Sequence, residues 1–93
     1  MMGDKNFTQG KWRLGNNGSV VSDCWVRGEE PSKGTLEFYG GSPVCESVVE
    51  EDAHLIAAAP EMYDLLYRIA EAYNDSQFGD LAEALLKKAR GGL

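Results

Sequence analysis

Hydrophobic and polar positions change their period partway along the chain. Between about residues 11 and 49, short apolar runs are separated by Gly, Asn and Pro, the turn-punctuated pattern of strands. Beyond Glu50 the spacing becomes helical. Leu55, Ile56, Ala59, Met62, Leu65, Leu66 and Ile69 recur at three- and four-residue steps and so share one helical face. Pro60 falls inside that run. Proline suits the first turn of a helix and clashes in its interior, so the pattern predicts one short helix ending near Ala58 and a second starting at Pro60. Another helix follows Asn74-Asp75-Ser76 and reaches about Arg90, with Leu81, Leu85, Leu86 and Ala89 on one face. Lys87, Lys88 and Arg90 complement its C-terminal dipole, and Gly91 stops it.

In the front half, residues 11–14 and 19–26 read as a hairpin around Asn16-Asn17-Gly18. Asn-Gly favours a tight type I′ turn because both central positions need positive φ. With Asn17-Gly18 as that turn, Leu14 pairs with Val21 and Trp12 with Asp23. Trp12, Leu14, Val21 and Trp25 then lie on one face, and Val20, Cys24 and Val26 on the other with Arg13 nearby. One helical layer does not cover two apolar faces, which predicts a homo-oligomer, a dimer or higher. Residues 28–34 read as a mobile polar loop. Residues 35–39 and 44–49 read as a second hairpin around Gly40-Gly41-Ser42-Pro43, and Glu50, Glu51 and Asp52 suit a helix start. The predicted fold is α+β: an N-terminal antiparallel β-sheet of about four strands in two hairpins, then two to three C-terminal α-helices. It is one domain over residues 1–93, with a flexible stretch at 1–9, a β-rich half at 10–49 and a helical half at 50–91.

Residues 53–66, AHLIAAAPEMYDLL, resemble a segment that recurs near the C-terminus of many small bacteriophage and prophage proteins. Lys11-Trp12 in a β-rich front part, the acidic run at 48–52 and the closing Leu85-Leu86-Lys87-Lys88-Ala89-Arg90 follow the same layout. The likeness is close over the last half of the chain and holds in outline over the first. His54 stands where an arginine is common. The resemblance implies a small phage accessory protein, and it brings no catalytic motif with it.

Charge narrows the partners. The net charge is −6. Residues 1–45 carry five basic and five acidic groups, whereas residues 46–93 carry four basic and ten acidic groups. The whole excess therefore lies in the helical half. Duplex binding needs a basic surface to neutralise phosphates, so no duplex nucleic acid is expected. No apolar run is long enough for a membrane span, and the polar start is not a signal peptide. The expected compartment is the host cytoplasm, where Cys24 and Cys45, without metal-site spacing, read as free core thiols.

Candidate chemistry is sparse. His54 lacks a nucleophile or orienting partner in sequence and reads as a surface residue. Glu46, Glu50, Glu51 and Asp52 lack calcium-loop spacing and read equally as helix capping. Gly40-Gly41-Ser42-Pro43 reads as a turn before a phosphate loop. No enzyme, metal or cofactor is expected. Trp12, Trp25 and Tyr39 beside Arg13 and Arg27 form a candidate ligand set, since aromatic faces stack on bases and cations pair with phosphates; both tryptophans also fit a core. Tyr63 and Tyr67 share a helix edge and, with Lys87 and Arg90, form a candidate interface, or else a core rim. Three functions stay open. They are binding of a host protein to interfere with host defence or physiology, sequestration of a cyclic nucleotide or related immune signal, and a structural or regulatory role with no small ligand.

Overall fold

A computed structural model describes residues 7–92, so most of the stretch expected to be flexible at 1–9 lies outside the described residues. Elements follow in the order β1 (Trp12–Leu14), β2 (Val20–Ser22), a 3-10 turn (Val26–Gly28), α1 (Lys33–Tyr39), β3 (Ser42–Cys45), α2 (Glu50–Ala72) and α3 (Gln77–Ala89). The fold is α+β, with one antiparallel sheet of three strands in the order β1-β2-β3. Contacts divide the chain into two compact units. One is Thr8–Pro60; the other holds Phe7 and everything described from Glu61 onward.

In the first unit β2 is the central strand. Val20 and Val21 are both fully buried. Adjacent strand residues point to opposite faces, so both faces of β2 are covered within one chain. On β1, by contrast, Leu14 stays exposed. The register also differs from the expected one: Trp12 pairs with Ser22, Arg13 with Val21 and Leu14 with Val20. A one-residue shift exchanges the faces, so Val21 lies with Arg13, and Trp12 and Leu14 lie with Val20. The expected positive φ at Asn17 (57°) and Gly18 (69°) is present. The turn is nevertheless a five-residue loop, because its backbone bonds outward. Gly15 N–H donates to the Ser19 carbonyl and Asn16 N–H to the Tyr39 carbonyl, and Val48 N–H donates back to the Gly18 carbonyl. Asn17 Nδ2 donates to the Phe38 carbonyl at 2.6 Å. Three successive loop residues, Asn16, Asn17 and Gly18, thus clasp the end of α1 and the segment leading into α2.

Three buried serines fix the remaining connections. Ser19 Oγ donates to the Asn16 carbonyl at 2.7 Å. Ser22 Oγ donates to the Gln9 carbonyl and accepts from Cys24 N–H, and Ser42 Oγ accepts from Val26 N–H at 3.1 Å. Each hydroxyl satisfies backbone groups that burial would otherwise leave unpaired. The strand expected at 19–26 consequently stops at Ser22. Cys24 is exposed and Cys45 half-buried, both free, so neither is the core thiol expected.

The strand expected at 35–39 is a helix. Ser32 caps α1 by accepting from Thr35 N–H, and Gly40 closes it at φ +78° in the left-handed region that glycine adopts readily,. These caps override the strand-like alternation of Leu36, Phe38 and their neighbours, which removes the second hairpin and leaves β3 as the edge strand. Residues 28–34 accordingly contain the first helical residues rather than a loop throughout.

The second correction concerns Pro60. α2 is one continuous helix of 23 residues with Pro60 inside it. The missing N–H leaves the Ile56 carbonyl without its intrahelical donor, yet one such defect does not end a helix with ten or more residues on either side. The boundary between the compact units falls at this proline, so the sequence signal marks a unit junction instead of a helix end. In the second unit, Ser76 caps α3 by accepting from Gly79 N–H, and Tyr63, Ala82 and Leu86 are buried. Leu81 and Leu85, expected on the buried face, are exposed. Buried α3 positions are Gly79, Ala82 and Leu86, a stripe that shares Leu86 with the expected one and is centred about 70° around the helix from it.

Candidate functional site

The five candidate ligand residues all belong to the first unit, and the fold treats them differently. Trp12, on β1, is half-buried and donates its indole N–H to the Thr8 carbonyl at 3.0 Å. Arg13 follows it on the opposite face of the strand. Its guanidinium donates to the Gly40 carbonyl at 3.3 Å and pairs with Asp23, also at 3.3 Å. Arg13 therefore links Gly40, the residue after Tyr39, to Asp23 across the surface of the sheet. Tyr39 closes α1. Its hydroxyl donates to the Glu46 carboxylate, and that bond, which only the protonated phenol makes, pushes its pKa above the ordinary value. The Phe38 ring stands edge-on to Tyr39, with centroids 4.8 Å apart.

Trp25 and Arg27 face solvent. Trp25 is 51% exposed and stands at the N-terminal end of the 3-10 turn in extended conformation. Arg27 is exposed and holds φ +58°, ψ 19°, a left-handed geometry that costs a non-glycine residue about 1–2 kcal/mol. Gly28 continues it at φ +71°. Two consecutive left-handed residues make a sharp reversal of the backbone. The turn is anchored where Val26 N–H meets buried Ser42. On α1, Phe38 is 55% exposed and Leu36 also reaches solvent. A large indole, a guanidinium and a phenyl ring thus stand exposed in one compact unit. Pattern reading found Trp25 and Arg27; Phe38 was assigned to a strand, and only the Ser32 and Gly40 caps signalled its helix.

The candidate interface residues lie in the second unit. Tyr63 is buried, meets Phe7 edge-on at 5.0 Å between centroids and accepts from Arg90 at 3.3 Å. Tyr67 is half-buried, and Lys87 is exposed on the last turn of α3. Tyr63 and Arg90 therefore serve the interior of this unit within the chain. His54 is exposed, 3.8 Å from Glu50 one turn earlier, where an exposed pair contributes little.

A three-stranded sheet with capped helices, two small cores and large apolar side chains left outside defines a small α+β protein that presents surface. No helix among the described residues is long and apolar enough to cross a membrane. Over residues 1–93 the chain matches the family model described as Salmonella phage P22 protein Y8K6, and it belongs to that phage protein family. No curated protein and no solved structure matches it.

Proposed function

We propose that this is a non-enzymatic phage accessory protein that binds a host protein and interferes with host defence or physiology. The observation that carries the reading is the exposure of Trp25, Arg27 and Phe38 in one compact unit. Tryptophan and arginine are among the residues most enriched at binding hot spots. The acidic helix start at Glu50, Glu51 and Asp52 adds a negative flank that suits a basic partner surface. Quantitative recovery of host proteins from infected cells tests the reading, with wild type compared to Trp25→Ala and Arg27→Ala. One specific host protein is expected to be retained by wild type and lost at least tenfold in either variant, while circular dichroism is unchanged. Equal recovery by all three contradicts it.

Trp25 and Arg27 also favour a second reading, capture of a cyclic nucleotide, because they supply a stacking face and a phosphate partner two residues apart. Arg13 and Tyr39 support it less, being held by Asp23, the Gly40 carbonyl and Glu46. Calorimetry against cyclic di- and trinucleotides separates the readings. Binding tighter than about 10 μM, or −7 kcal/mol, that disappears in Arg27→Ala selects the nucleotide.

A further inference from the structure

α3 carries a second apolar stripe that the described residues leave exposed. Phe78 is 70% exposed, Leu81 55% and Leu85 51%. Their spacing of three and four puts them on one side of the helix, beside the buried stripe of Gly79, Ala82 and Leu86. Six large side chains of the second unit are at least two-fifths exposed, three of them here.

We propose that α3 pairs antiparallel with α3 of a second copy of this chain. The occupant follows from self-complementarity. Around a twofold axis at Leu81, Phe78 of one copy faces Leu85 of the other, and Leu81 meets its own counterpart. The same register brings Lys88, which flanks the stripe on the helical wheel, beside Asp75 of the second copy. Both are exposed, and they are of opposite charge. At the scale of the whole helix, the acidic first turn with Asp80 lies opposite the basic last turn with Lys87 and Lys88. Opposed macrodipoles add to that match, whereas a parallel pairing would set like charges together. Each pair occurs twice in a twofold interface, so every substitution counts double. This surface lies in the unit that does not hold Trp25 and Arg27, and its failure leaves the host-protein reading standing.

Sedimentation velocity on the full chain tests the pairing. Wild type is expected to approach twice the 10.2 kDa chain mass at micromolar concentration. Leu81→Asp is expected to sediment as a monomer with unchanged helical dichroism, because the side chain is already exposed. Should that variant unfold, Phe78→Lys, at the most exposed of the three sites, reads the same quantity. Lys88→Asp and Asp75→Lys each weaken dimerisation at least tenfold, and the double charge reversal restores it. A wild-type monomer across the range, or a dimer that survives both Leu81→Asp and Phe78→Lys, overturns the proposal. Absence of rescue by the double reversal overturns the antiparallel register.

Discussion

Single atoms decide more here than the residue types announce. A Cβ built on Gly79 would stand 1.9 Å from the Tyr73 carbonyl oxygen, a backbone atom that cannot swing aside. Gly79→Ala is therefore expected to cost on the order of 2 kcal/mol and to lower the melting temperature by roughly 10 °C; an unchanged melt would place the turn before α3 elsewhere. The Tyr39–Glu46 bond sets a pH dependence whose sign is fixed. Its phenol is harder to ionise in the folded chain, so the stabilisation is fully present below the unfolded phenol value of about 10. It is lost as pH rises through the higher folded value. Urea midpoints at pH 8 and pH 11 are expected to differ less in Tyr39→Phe than in wild type. Equal differences would remove the bond from the account. Asn17 and Gly18 were legible at this scale, since Asn-Gly announces positive φ. The outward bonds of Asn16 and Asn17 were not, because their acceptors come from residues more than twenty positions away.

At the scale of elements, caps outweighed alternation and continuity outweighed proline. α1 was misread as a strand because Leu36-Glu37-Phe38 alternates over too short a span to separate the two periods. Ser32, four residues before Leu36, and Gly40, two after Phe38, held the information. α3 was read correctly in extent and wrongly in phase, since Leu81, Leu85, Leu86 and Ala89 are all plausible on one apolar face and the small Gly79 and Ala82 do not advertise burial. The phase has a direct check in neighbouring residues. Leu86 is 3% exposed, so Leu86→Asp is expected to unfold its unit, burying an unpaired charge at a cost of several kcal/mol. Leu85→Asp, one residue earlier and half exposed, is expected to keep its helical dichroism. Thermal melts that show equal losses would rule out the observed phase.

For the molecule as a whole, the sequence told the class and the charge distribution, while the proposed binding surface depends on which apolar residues the two small cores leave outside. Trp25 was legible as a candidate, yet its freedom rests on the 3-10 turn that ends β2 early, and that turn rests on the buried hydroxyl of Ser42. Ser42→Ala leaves the Val26 N–H without its partner and is expected to cost about 1–3 kcal/mol and to loosen the Trp25 environment, seen as a red shift in tryptophan emission. The central claim is that Trp25 and Phe38 form a surface for a host protein. Site-specific photo-crosslinking in infected cells tests it most directly, with a photoreactive phenylalanine placed in turn at Trp25, at Phe38 and at exposed Glu71 in the other unit. The account predicts one host protein joined to the chain at positions 25 and 38 and not at 71. Equal labelling at all three positions, or none at 25 and 38, would contradict it.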